Sequence, residues 1–316
     1  MSGGPKALPD SLLAWAEASL GAPVLAVHDA SAARPSSRVW ELARPDGTRY
    51  FLKCPAGAER YARETFAYRH AVPALGPGCA PRLLASDATL LALLVTALPG
   101  ASLASLRLTP AGEREAHRRA GALLSRLHAA GRMPRDMRPA AEASLRTAAE
   151  TAEEHLRRAG DHFTRDERRL ARQAVRQLRR SWQVPLCFTH GDARARNLLC
   201  AGRHTALVDF GQARFAAAVH DFVLLSTDAW AGRPDLRAAF FAGYGRELGA
   251  EERHVLRCLA VADTVGRLAR GASSGEAEAG AEARGRLGLQ RLLAEGGLES
   301  APLHLVHGER GRKQLR

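Results

Sequence analysis

The sequence has no apolar run near the roughly 20 residues a bilayer crossing needs. Its start, Met1-Ser2-Gly3-Gly4-Pro5-Lys6, is not followed by the apolar core of a signal peptide, so secretion is not expected. Cysteine is sparse: Cys54, Cys79, Cys187, Cys200 and Cys258 are odd in number, scattered, and form no CxxC pair. That pattern argues against a disulfide frame or a zinc knuckle and predicts reduced thiols in the cytoplasm. Aromatic residues make up only 5% of the chain, and none interleave with its arginines as base-stacking platforms would. The net charge of +13 is therefore weak support for nucleic-acid binding, and none is expected. The charge is also local. Residues 101–215 carry +10, while residues 1–100 carry +2 and residues 216–300 carry −2. Most arginines of the basic stretch alternate with Glu or Ala, as on a solvated helix face. No internal repeat is present.

With 46% hydrophobic and 25% charged residues in 316, the chain is globular and long enough for two lobes. A short helix is expected near residue 10, with Asp10-Ser11 capping Leu12-Leu13-Ala14-Trp15. Strand-like segments follow at Val24 to Val27, Val39 to Leu42 and Tyr50 to Lys53, with Asp46-Gly47 as a hairpin turn. A helix is predicted over 58–75, a strand from Leu90 to Thr96, and a break at Pro99-Gly100. Beyond it, residues 111–130 and about 140–182 show helical spacing. Two short strands, Leu186 to Phe188 and Thr205 to Val208, interrupt the pattern, and the rest to about 298 reads as helix with a loop at 271–285. The architecture predicted is α+β and bilobal: a small β-rich lobe over 1–96, a hinge at 97–100 and a larger helical lobe over 101–316.

Each late strand precedes a polar motif. His190-Gly191-Asp192-Ala193-Arg194-Ala195-Arg196-Asn197 has the HxDxxxxN spacing of a kinase catalytic loop, and Asp209-Phe210-Gly211 follows at hairpin distance. Phosphoryl transfer builds negative charge on the γ-phosphate, so cations must be held against it by oxygen ligands. A separate carboxylate must take or orient the proton of the attacking hydroxyl. Asn197 and Asp209 are the candidate metal ligands, and Asp192 the candidate base.

The paired motifs resemble the aminoglycoside phosphotransferase family, relatives of the protein kinases in which HGD replaces HRD. The resemblance extends over about residues 22–250. Tyr50-Phe51-Leu52-Lys53 is similar to the strand whose lysine holds the α- and β-phosphates, and Arg63-Glu64-Thr65-Phe66 to the helix whose Glu pairs with it; Glu59 competes with Glu64 for that role. Ala80 to Leu84 and Leu98 to Leu103 resemble the segments flanking the hinge, which places Thr96 and Leu98 beside the nucleotide. Gly121 to His128 is similar to a family helix ending in Leu-His, and Phe240 to Tyr244 to a later one. Asp221 lies where the family keeps an aspartate bracing the catalytic loop. The resemblance implies a protein-kinase-like fold, ATP or GTP as donor, Mg²⁺, and a small-molecule hydroxyl as acceptor.

The sequence departs from the kinase pattern in three places. No GxGxxG loop is present; Ser31 to Arg38 stands in its place, with Ser36 and Ser37 as candidate phosphate contacts. Arg194 stands where protein kinases commonly place a lysine that touches the γ-phosphate, and that role is expected of it. No APE-type end follows Asp209, which disfavours a protein substrate. A kinase of a lipid-linked sugar or protein, or a silent kinase-like binding module, are the competing readings. His190 is expected to fix loop backbone, and Cys187 and Cys200 to be core residues. For the acceptor, Asp228, Asp235, Glu251, Glu252 and Asp263 could supply an acidic pocket for an aminoglycoside; another antibiotic or a hydroxylated metabolite fits as well. Composition says nothing of oligomeric state.

Overall fold

A computed structural model describes residues 7–31, 37–273 and 279–298. The first helix, α1 (Asp10–Leu20), has Pro9 at its cap with no side-chain hydrogen bond, so Asp10 is its first residue and not its cap. There the carboxylate still faces the positive end of the helix dipole. Five strands follow: β1 (Ala26–Asp29), β2 (Ser37–Ala43), β3 (Arg49–Pro55), β4 (Leu83–Asp87) and β5 (Ala92–Thr96). They form one antiparallel sheet in the order β1-β2-β3-β5-β4. Alternation sorts their side chains by face. Trp40, Leu42, Leu52 and Leu94 pack with Leu12 and Ala16 of α1, while Val95 joins Ala67 and Tyr68 of α2 (Ala58–His70) on the other side. Each of the larger side chains so buried contributes about 1.5–3 kcal/mol.

The expected helix over 58–75 is two elements. It ends at His70, and a 3₁₀ turn over Val72–Leu75 carries Pro73, which has no N–H to extend the helix. Strand β4, which the sequence pattern misses, is an edge strand with no buried residue and a register shift between Leu83 and Ala85.

The remainder is mainly helical: α3 (Pro110–Ala129), α4 (Arg138–Glu142), α5 (Ser144–Arg158), α6 (Arg165–Leu178), α7 (His220–Leu224), α8 (Pro234–Tyr244), α9 (Ala250–Ser273) and α10 (Ala279–Ala294). The span predicted as helical over 140–182 breaks before Thr164, whose hydroxyl and Glu167 form a reciprocal capping box that opens α6. Helices α3 and α8 meet backbone to backbone. A Cβ on Gly121 would lie 2.0 Å from the Phe240 carbonyl oxygen, and one on Gly243 would lie 1.7 Å from that of Arg118. Only glycine permits that approach. Surface arginines are held along the helices, Arg118 and Arg119 on Glu115 for example. Among the described residues, no helix is long and apolar enough to cross a membrane.

Five short strands complete the fold: β6 (Ala101–Ser102), β7 (Leu186–Thr189), β8 (Leu198–Ala201), β9 (His204–Leu207) and β10 (Arg214–Ala217). They make two small sheets, β6-β8-β9 and β10-β7.

Candidate active site

The β8–β9 hairpin folds the chain back so that the segment entering β8 and the segment leaving β9 lie together. The first segment carries Asp192 to Asn197, and the second carries Asp209 to Gly211. The backbone N–H of Val208 donates to the Asn197 carbonyl at 3.0 Å and pins the two. Asp209 has φ 66°, a left-handed conformation uncommon outside glycine but more tolerated by Asp. Phe210 is fully buried between the rings of His190 and Tyr68, at 5.0 and 5.5 Å. Tyr68 belongs to α2, so this aromatic contact ties α2 to the segment.

Lys53 reaches from β3 into this junction. Its Nζ donates to Glu64 Oε1 at 2.8 Å and to Asp209 Oδ1 at 2.6 Å. Glu59 is taken by Arg63 instead. Burial alone would lower the Lys53 pKa, but the carboxylates of Glu64 and Asp209 raise it above the ordinary value. Burial pushes Glu64 up despite Lys53. Burial opposes the charge on Asp209 too, yet Lys53 and the other donors hold that carboxyl below its usual range. The ammonium thus stays charged between two carboxylates, one deeply buried and one facing the cavity.

Asp192 is buried among donors. Asn197 Nδ2 donates to its Oδ2 and to its backbone carbonyl, both at 2.9 Å. With Nδ2 so used, Oδ1 is the amide atom left that is able to bind a cation. Arg196 donates to Asp192 Oδ2 at 2.9 Å. Arg194 Nε lies 2.7 Å from Asp192 Oδ1 but makes no aligned hydrogen bond. That contact is an ion pair by proximity alone.

The loop is braced from below by Asp221, which is 1% exposed. Its carboxylate accepts from the backbone N–H groups of His190 and Gly191, both at 2.7 Å, and lies 2.9 Å from His128 Nε2. His128 Nδ1 in turn lies 2.8 Å from the Tyr244 hydroxyl. Burial works against the Asp221 charge, yet His128 and the loop donors hold its carboxyl below the usual range. His190 Nδ1 accepts from the Asp192 N–H, so its Nε2–H donates to the Val208 carbonyl, which joins the two segments. Gly191, at φ 77°, is required where it stands: a Cβ there would lie 2.3 Å from the Gln212 carbonyl oxygen.

The profile of the phosphotransferase enzyme family (APH) matches residues 32–258. The chain belongs to that family. Its members transfer phosphate to hydroxyl groups, and this phosphotransferase has their kinase-like α+β fold. No curated protein matches it in sequence. Among solved structures it is similar to a macrolide 2'-phosphotransferase type I, with 19% identity, TM-score 0.60, and 87% of this chain and 95% of that one covered. A choline/ethanolamine kinase family protein from Mesorhizobium loti is 17% identical, with TM-score 0.62 and 88% and 89% covered. The AMP-bound spectinomycin phosphotransferase APH(9)-Ia is 12% identical, with TM-score 0.65 and 90% and 98% covered. These structures share the fold of this chain, and their names refer to chemically unrelated compounds.

A cavity of 1190 Å³ opens beside this junction in the phosphotransferase. Lys53, Glu64, Asp192, Arg194 and Asp209 line it, and so does Ser37 at the start of β2. Ser36 lies outside the described residues. Thr96 and Leu98 do not line it; the Thr96 hydroxyl accepts from the Arg82 N–H at 2.9 Å. Sequence reasoning overlooked Arg196, His128 and Tyr244 as parts of the site. Composition held one further signal: Asn197 is the only asparagine in the chain, and Lys53 is one of three lysines beside 43 arginines. Cys187 and Cys200 are free, and burial raises both thiols, so neither has thiolate character.

Proposed function

We propose that this phosphotransferase moves the γ-phosphate of ATP, with GTP as alternative donor, to a hydroxyl of a small molecule in a Mg²⁺-dependent reaction. The observation that supports this is the convergence of Lys53–Glu64, Asp192 and Asp209 on one cavity, with Asn197 bonded to Asp192 through Nδ2. In this reading the Lys53 ammonium, positioned by Glu64, turns from Asp209 to the α- and β-phosphates. Residues 97–100 serve as hinge, with Thr96 and Leu98 toward the base and Ser37 toward the phosphates. Asp209 and Asn197 Oδ1 would hold Mg²⁺. Among the described residues no cluster of three His, Cys, Asp or Glu could hold a metal unaided. That suits Mg²⁺, which takes one or two protein oxygens and completes its shell with phosphate oxygens and water. When bound, the cation neutralises charge building on the transferred phosphoryl group.

Asp192 then orients the acceptor hydroxyl and receives its proton as the oxygen bonds to phosphorus and the bond to the departing diphosphate breaks. Arg194, held to Asp192 by proximity without an aligned bond, is free to turn toward the γ-phosphate, which leaves Oδ1 for the hydroxyl. Hydroxylated antibiotics, aminoglycosides included, and hydroxylated metabolites are the acceptor classes to screen. Thermal shift with ATP or GTP, with and without Mg²⁺, tests the donor half. Asp192→Ala tests the base: transfer should stop while the nucleotide shift persists. Near-normal turnover by this variant would remove Asp192 from the mechanism, and no response to either nucleotide with Mg²⁺ would sink the whole reading.

A further inference from the structure

We infer that the acceptor is a bulky hydroxyl-bearing compound with a broad apolar face and at most one positive charge. This rests on the phosphotransfer reading and narrows its acceptor. The cavity continues past Asp192 between helices. Met137 before α4, Ala148 of α5, Val223 and Leu224 of α7, and Leu259 and Ala262 of α9 form its far wall. At 1190 Å³ it exceeds the roughly 300–1,000 Å³ typical of small-ligand sites. It can hold a triphosphate end together with a sizeable second molecule.

Two hydroxyls in that wall are already engaged within the protein, whereas His220 Nε2, on the same cavity, has no hydrogen-bond partner among the described residues. The Ser144 hydroxyl accepts from the Ala217 N–H at 3.2 Å, and the Thr151 hydroxyl donates to the Thr147 carbonyl at 2.9 Å. Asp263, the α9 carboxylate facing the cavity, receives Arg267 Nε at 2.8 Å. The other acidic residues singled out in the sequence are likewise held. Asp228 pairs with Arg267, Asp235 with Arg233 and Glu252 with Arg246, while Glu251 accepts from the Gln183 N–H.

The ion balance points the same way. Of the lining carboxylates among the described residues, Asp136 alone has no cation in contact. Arg60, Arg214 and Arg270 line the same cavity with no carboxylate in ion-pair contact among the described residues. A polycation entering here would meet three uncompensated guanidinium groups and one free carboxylate. It would have to break internal pairs such as Asp263–Arg267 to gain more, and each uncompensated charge it left would be costly. An apolar face laid on Met137, Ala148 and Ala262, which are only partly covered in the fold, displaces water at no such cost.

The test uses the full chain saturated with Mg²⁺ and a non-hydrolysable ATP analogue for binding, and with Mg·ATP for transfer. One probe arm contains macrolides with a single amine and neutral phenicols; the other contains gentamicin and streptomycin. The expected result is a further thermal shift and a new phosphate-ester signal by phosphorus NMR in the first arm, with neither in the second. Binding or phosphorylation in the polycation arm alone, or in neither arm, overturns the inference. Two variants on different helices, Ala148→Glu and Ala262→Glu, are each expected to raise KM for any first-arm substrate at least tenfold while keeping the nucleotide shift. An unchanged KM in both also overturns it. Loss of the nucleotide shift in the unmodified protein would instead mark failure of the phosphotransfer reading itself.

Discussion

Replacing Lys53 with Met removes an ammonium and keeps most of the side-chain volume, which isolates the charge term. Glu64, 1% exposed, then loses its partner at 2.8 Å, and its Oε2 already has no hydrogen bond. Removing one member of a buried pair costs about 3–5 kcal/mol. We expect about 3 kcal/mol at neutral pH, because Asp209 faces the cavity and water can take over its charge. Part of this loss is recoverable by protonation. Burial already raises the Glu64 carboxyl, and Lys53 is the strongest influence in the other direction, so its removal raises that carboxyl further. The folded state then binds a proton that the unfolded chain releases, and stability rises as pH falls through that window. The deficit of Lys53→Met should therefore shrink as pH falls from neutral toward the ordinary glutamate value of 4.5. Urea denaturation of both proteins at several pH values measures it. Adding Glu64→Gln should flatten the pH dependence and recover most of the deficit. A deficit that is constant with pH, or larger in acid, would refute the argument that Glu64 stays buried and charged only because of Lys53.

Asp221→Asn should cost about 2–3 kcal/mol, since an amide must turn one donor toward a loop N–H that needs an acceptor. Its kcat should fall while KM for nucleotide changes little. The Asp221 carboxyl is held below the ordinary value of 3.8, so its stabilisation is complete above that value and disappears as pH falls below it. Acid denaturation of the Asn variant should lack that component. Gly191→Ala places a Cβ against the Gln212 carbonyl and forces a left-handed conformation that costs about 1–2 kcal/mol. Steady-state kinetics should show kcat reduced at least tenfold, with the nucleotide thermal shift retained.

Much of the site was legible because its chemistry is written in fixed local spacings. The five positions from Asp192 to Asn197 and the strand before Asp209 survive any change in surrounding packing. Glu64 was harder, because Glu59 lies on the same helix; only the three-dimensional path of β3 decides which carboxylate Lys53 meets. The His128–Tyr244 support for Asp221 joins residues 93 and 116 positions apart, and no local pattern encodes such a link. In the fold, the strong strands β2 and β3 were evident from alternation, whereas β4 lacks the buried face that creates alternation. The long helical stretch was over-read across Ala159 to Thr164, although the Thr-x-x-Glu signature at Thr164 was present. Acceptor chemistry was least legible of all. Counting Asp228, Asp235, Glu251, Glu252 and Asp263 gave the charge available, but their partners determine how much of it faces a ligand.

The glycine crossing of α3 and α8 has a consequence for how this protein can change. Gly121 and His128 lie two turns apart on one face of α3, and Tyr244 follows Gly243 directly on α8. The crossing from which the His128 and Tyr244 side chains reach toward Asp221 is therefore set by main-chain geometry, which has no rotamers to re-choose. Leucines and alanines elsewhere in the helical core can be exchanged, and their neighbours can resettle, without moving the point from which the loop is held. The crossing acts as insulation, separating drift in the bulk of the core from the position of Asp192.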